Sequence, residues 1–238
     1  MKLLAFETAT EACSVALWLD GEVRERFEVA PRRHAELSLP WAEALLAEAG
    51  IARSQLDALA VGRGPGAFTG VRLGISIVQG IALALDRPVV AVSTVAVLAA
   101  GAPARWSDCT HVLASIDARM SEVYAGAFEV RGGSVAARGP ESVGPAAAVA
   151  LPGAGDPTAW HGIGSGFAAG EGALADQLRG RLAGVDPQAL PRASDLARLA
   201  AAAAARGELL APERVEPAYL RNQVALTLAE QQALRDRR

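Results

Sequence analysis

Gly62-Arg63-Gly64-Pro65-Gly66-Ala67-Phe68-Thr69-Gly70, followed by VRLGISIVQGIALAL over 71–85, is the stretch that decides the fold. Just before it, DALAVG (57–62) is a short apolar run that reads as a strand. After it the apolar residues recur at helical spacing. Upstream, KLLAFE (2–7), CSVALWL (13–19) and EVRERFEV (22–29) read as three strands, with Asp20-Gly21 as a hairpin turn between the last two. A helix is expected over His34–Ala49, with Pro40 inside it and Gly50 as its stop. PVVAV (88–92) is another buried strand, and Ser93 is placed to cap a helix that runs to Ala100. The order is therefore β-β-β-α-β-α-β-α.

The second half begins again with strands at 111–117, 121–130 and 134–138. A helical stretch is expected at about 143–151, a strand at about 159–163, and helices at about 167–180 and 194–206. The order of elements echoes the first half without a sequence repeat. A Gly/Pro-containing linker at 101–108 gives two expected domains, 1–104 and 105–238. The tail 224–238 reads as an amphipathic helix.

Composition narrows the function. The 238 residues are 51% hydrophobic and 21% charged, enough for a packed core. With 26 acidic and 23 basic residues the net charge is -3, which argues against gripping a polyanion unaided. Two cysteines, Cys13 and Cys109, are too few for a disulfide framework, and a reduced cytoplasmic setting is expected. The charge-free run 88–104 contains two prolines and falls short of a membrane span, so no membrane partner is expected.

Five segments are candidates for chemistry. The turn Glu7-Thr8-Ala9-Thr10, with Ser14 beyond it, offers hydroxyls and backbone N–H groups after a strand, as a phosphate site would; it also reads as a polar β-turn. The 64–70 loop precedes a helix, where anions are favoured. No Lys follows its last Gly, so it is not a Walker loop, and a tight connection with Thr69 as N-cap explains it equally well. The 71–85 helix carries one polar stripe (Arg72, Ser76, Gln79) and two apolar arcs, Val71/Ile75/Val78/Ala82/Leu85 and Leu73/Ile77/Ile81/Ala84. A surface helix needs only one such arc. The other is either covered by the same chain or meets a partner, together with Leu37, Trp41 and Leu45 of the preceding helix. DARMSEVY (117–124) is a charged hairpin turn or a recognition loop. HGIGSG (161–166) is a weak nucleotide signal beside a histidine that packing explains as well. No HExxH, GxSxG or paired histidine spacing is present.

Taken together, ETAT (7–10), HAELSLP (34–40), GPGAFTGVRLGIS (64–76), DARMSEVYAG (117–126) and EPAYLR (216–221) resemble the bacterial TsaB (YeaZ) family, in the same order and over essentially the whole chain. The resemblance implies an α/β fold of the actin/sugar-kinase/Hsp70 (ASKHA) class, with two related ribonuclease H-like lobes built on mixed five-stranded sheets. It implies a role in making N6-threonylcarbamoyladenosine in tRNA as a non-catalytic subunit. The expected partners are TsaD, the catalytic paralogue, and the ATPase TsaE, with a homodimer when TsaD is missing and tRNA met only through the complex.

TsaD-type subunits bind a metal through two histidines four residues apart. The matching positions here are Thr94 and Leu98, so no metal and no catalytic residue is expected. No cofactor is required; ATP or ADP would meet a vestigial phosphate site at Glu7, Thr8 and Thr10. The partner interface implied is His34, Leu37, Trp41, Val71, Gly74, Ile77, Val78 and Ile81. The rivals are an enzyme of the same fold (kinase-like or glycoprotease-like) and a nucleotide-binding regulator using 7–10 and 162–166.

Overall fold

A computed structural model describes residues 1–132, 134–153 and 159–221. The first half contains β1 (Lys2–Glu7), β2 (Ala12–Leu19), β3 (Glu22–Val29), α1 (His34–Ala49), β4 (Ala58–Gly62), α2 (Phe68–Leu85), β5 (Val89–Val92) and α3 (Thr94–Ala100). The second contains β6 (His111–Arg119), β7 (Glu122–Arg131), β8 (Ser134–Ala137), β9 (Ser142–Pro145), β10 (Trp160–Ile163), α4 (Ala173–Gln177), β11 (Leu182–Asp186) and α5 (Ala193–Ala205).

The two halves carry the same sheet. In the first the strand order is β3-β2-β1-β4-β5; in the second it is β8-β7-β6-β10-β11. Each has an antiparallel meander on one side of its central strand and parallel strands on the other. This is the duplicated ribonuclease H-like lobe of the ASKHA class, as expected. The second sheet differs from a plain five-stranded one, because β9 adds a sixth strand on β7.

Alternation along the strands sets the layers. Leu4 and Phe6 of β1, with Val15, Leu17, Leu59 and Val61, meet α1 and α2 on one face of the first sheet. Leu3, Ala5, Ala16, Ala58 and Ala60 meet Leu196, Ala197 and Ala200 of α5 on the other. In the second sheet, Val112, Ala114 and Ile116 face Val95, Leu98 and Ala99 of α3, while Leu113 and Ala125 face Leu174 and Leu178 around α4. The halves thus exchange helices. α3 precedes the chain's midpoint yet covers the second sheet; α5 follows the second sheet yet covers the first.

Two expected helical regions differ. The 143–151 stretch is β9 followed by a single helical turn, since Gly144 and Pro145 interrupt the alanines. Of 167–180, only 173–177 is α-helical: Gly170 and Glu171, both left-handed, break it. The following segment is a strand, β11, that the composition did not suggest. The expected tail helix lies outside the described residues.

Candidate functional site

The turn after β1 and the glycine loop after β4 lock together. Ala67 N–H donates to the Ala9 carbonyl (2.7 Å), and Thr8 Oγ1 donates to the Gly70 carbonyl (2.8 Å). The glycines permit this approach. A methyl on Gly66 would collide with the Ala9 backbone and one on Gly70 with the Thr8 carbonyl, while one on Gly74 would lie 2.5 Å from Thr8 Oγ1. Gly62 leaves room for the Glu7 carboxyl in the same way. The Gly64–Pro65 peptide is cis.

Glu7 is buried at the centre of this lock. Its Oε1 accepts Ala9 N–H (2.9 Å) and its Oε2 accepts Thr94 Oγ1–H (3.2 Å), while Thr94 Oγ1 accepts Gly64 N–H (3.2 Å). Burial in this apolar setting pushes the carboxyl up to about 7, against the opposing pull of the hydrogen bonds from Ala9, Thr94 and Thr8. Glu7, Thr8 and Thr10 are therefore corrected from a phosphate-facing turn to an internal one: all three are buried. Helix α2 starts at Phe68 with Ala67 at its N-cap position and no side-chain cap, so Thr69 does not cap it. Ser93 does cap α3, accepting Ala96 N–H.

Thr94 and Leu98, at the positions matched to the histidines of TsaD-type subunits, are both buried and packed. Among the described residues no three His, Cys, Asp or Glu side chains converge as a metal site would require.

Helix α2 has three flanks. The first, Val71, Gly74, Ile75, Val78 and Ala82, is buried on the sheet. This corrects the assignment of Val71, Gly74 and Val78 to an interface, because those positions are filled by the chain's own core. The second, the polar stripe, is tied at two points to the segment leading from α5 to residue 221, while Arg72 and Ser76 stay exposed. Gln79 Nε2 donates to the carbonyls of Pro212 (2.9 Å) and Val215 (3.3 Å), and Arg72 Nη2 donates to Tyr219 Oη (2.8 Å). The Arg72 guanidinium also lies 3.6 Å over the Phe68 ring. The third flank, Leu73, Ile77, Gly80, Ile81 and Ala84, ranges from half-buried to exposed. Leu37 and Trp41 of α1 are likewise half-buried. By length and composition α2 could also cross a membrane, but one flank is committed to the sheet.

His34 is corrected as well. It is buried at the start of α1, and its Nε2–H reaches the carbonyls of Thr10 (2.9 Å) and Ala12 (3.2 Å), bracing the first turn instead of meeting a partner. His161 is buried against Trp106, with ring centroids 4.7 Å apart; burial lowers its affinity for a proton. The glycines beside it serve close packing: Gly164 and Gly166 press on Ser115.

The DARMSEVY turn carries three consecutive left-handed non-glycine residues, Arg119 (φ 66°), Met120 (φ 57°) and Ser121 (φ 60°). Each costs about 1 kcal/mol. Asp117 Oδ1 accepts Arg119 N–H (2.8 Å), the Ser121 carbonyl accepts Ala146 N–H (3.2 Å), and Arg221 Nη2 donates to the Ala118 carbonyl (3.1 Å) and to Glu122. Beside this turn, Glu11, Val29, Asp117, Ser165 and Gln188 line a cleft of about 370 Å³.

The chain resembles proteins of one pathway. The family model for TsaD, tRNA N6-adenosine threonylcarbamoyltransferase, matches residues 27–228. The tRNA threonylcarbamoyladenosine biosynthesis protein TsaB of Escherichia coli is 42% identical over 229 residues, covering 94% of this chain and 96% of that one. The solved structure of YeaZ from Pseudomonas aeruginosa superposes with a TM-score of 0.85 at 46% identity, over 92% of this chain and 99% of that one. A tRNA N6-adenosine threonylcarbamoyltransferase of Chlorobium luteolum is 37% identical over 110 residues, only 40% of this chain. With matches that run nearly end to end, the chain belongs to the TsaB (YeaZ) family.

Proposed function

We propose that the protein serves tRNA threonylcarbamoyladenosine biosynthesis as a non-catalytic scaffold, docking a TsaD-type subunit on the open flank of α2 and helping to recruit the ATPase TsaE. The observation that carries this reading is the third flank of α2, where Leu73, Ile77, Ile81 and Ala84 form an apolar arc beside the half-buried Leu37 and Trp41. Leu73, Ile77 and Ile81 are only half covered by the chain itself and Ala84 is exposed, and apolar surface left open in this way marks interaction sites. Without TsaD, the same flank would pair two copies of this chain, and tRNA would be met through the complex. The two free, buried cysteines suit a reduced cytoplasmic setting.

The scaffold needs no metal or cofactor of its own. Glu7, Thr8 and Thr10 spend their polar atoms inside the fold, so ATP or ADP would have to use the cleft by Asp117 and Ser165. The kinase-like and protease-like readings call for a reactive constellation that the buried Thr94 and Leu98 do not supply. The test is co-purification of the full-length chain with TsaD, wild type against Ile77→Glu, with the thermal midpoint of each protein measured alongside. Loss of TsaD from a folded variant supports the reading; undiminished capture overturns it. Hydrolysis of ATP by the chain alone would favour the enzyme.

A further inference from the structure

The segment Glu216–Arg221 touches both halves of the molecule within six residues. At its start, Ala218 N–H donates to the Arg63 carbonyl (2.8 Å) at the end of β4. Next, Tyr219 accepts a hydrogen bond from Arg72, whose guanidinium is stacked on Phe68, so this contact sits on the first turn and a half of α2. Two residues on, Arg221 holds the Ala118 carbonyl and the Glu122 carboxylate on either side of the β6–β7 turn. That turn contains the three left-handed residues 119–121 and exposes Met120 at 85%. A run of non-glycine residues in this region persists only where its surroundings hold it.

We propose that residues 216–221 are a strap that couples the N-terminal end of α2 to the strained β6–β7 turn: fastened at Tyr219, it positions Arg221 to hold the turn in its left-handed form, and released at Tyr219, it lets the turn relax. Phe68 and Tyr219 are 65% and 59% exposed. Whatever lands on this end of α2 therefore presses on the strap, and the effect is read at Met120. The coupling is a property of the chain alone and holds whether or not the α2 flank is the TsaD site.

Hydrogen–deuterium exchange of the full-length protein, read by mass spectrometry, tests it. Arg221→Ala should speed exchange of amides 118–122 by about tenfold or more, and Arg221→Lys, which keeps one donor, should restore part of the protection. The decisive variant is Tyr219→Ala, at an exposed residue that makes no hydrogen bond to the turn. It should also speed exchange at 118–122, severalfold, while the strands β1 and β6 keep wild-type protection. A Tyr219→Ala protein with unchanged exchange at 118–122 overturns the coupling, and so does an increase spread evenly over both sheets.

Discussion

Glu25 of β3 and Arg192, 167 positions apart in the chain, are joined by two hydrogen bonds, from Nε (2.9 Å) and Nη2 (2.7 Å) to the same carboxylate oxygen. The other oxygen accepts Ser14 Oγ–H (2.8 Å) and the Ser194 N–H (3.0 Å) in the first turn of α5. Arg192 lies 4.0 Å over the Phe27 ring. The carboxylate therefore seats the N-terminus of a helix from one half on the sheet of the other, where a negative charge is favoured. Glu25→Ala should lower unfolding stability by about 1–2 kcal/mol, as lost hydrogen bonds to a partly solvent-screened carboxylate would, read from urea denaturation. A loss within a few tenths of a kcal/mol would show that the clasp is not what seats α5.

Glu7 gives a pH signature. Burial disfavours the charge and pushes its carboxyl up to about 7 in the folded protein, from an ordinary value of about 4.5. Between those values the folded state binds more protons than the unfolded, so stability falls as pH rises from about 4.5 to 7. The drop contributed by this group is on the order of 3 kcal/mol. Glu7→Gln should flatten that part of the curve. Half-buried Asp195 and Glu141, both also raised by desolvation, would leave a residual slope of the same sign. An unchanged slope in Glu7→Gln would show that the carboxyl is already ionised throughout.

Two glycines in α2 should respond oppositely to alanine. At Gly74 the added methyl meets Thr8 Oγ1, and crowding of this kind costs about 1–3 kcal/mol. At Gly80 nothing lies within 4 Å, and removing a glycine from an exposed helix interior stabilises by about 0.5–1 kcal/mol. Thermal midpoints of the two variants check the sign of each. Similar shifts for both would mean that the lock between the Glu7 turn and the glycine loop is looser than the distances indicate.

On the open flank of α2, Ile81→Glu should weaken capture of a TsaD-type partner at least tenfold. Because Ile81 is half-buried beside the core, the same change should cost about 1–2 kcal/mol of folding stability. Titration calorimetry and denaturation together separate the two effects. Full affinity in the variant would place the partner elsewhere.

Much of this architecture was legible in the residues. Strands β1 to β5 and helices α1 to α3 follow from simple patterns: short apolar runs for the strands buried on both faces, alternation in β3, and helical spacing of apolar residues in the helices. The two arcs of α2 were visible too, and the structure ranks them: Val71 and Val78 are buried in the core, whereas Leu73 and Ile77 are half-buried, Ile77 at the core's edge. The Glu7 turn misled because polar residues after a strand look alike whether they face a ligand or each other. Only the glycines at 62, 66, 70 and 74 signal that backbone presses on backbone there. Around 143–186, alanine and glycine dominate, so helix, turn and strand share one composition and β9 and β11 went unseen. The role of Tyr219 and Arg221 was hidden for another reason: their partners, Arg72 and Glu122, lie about 100 or more positions away.

The exchange of α3 and α5 between the halves has a consequence for how such a chain can be divided. A gene cut near residue 104 would leave each product with a naked sheet surface and a stray rod meant for its sibling. Expressed apart, the pieces should clump; produced together, they should find each other and rebuild the whole. Two sheets of one design are here bound into an indivisible pair.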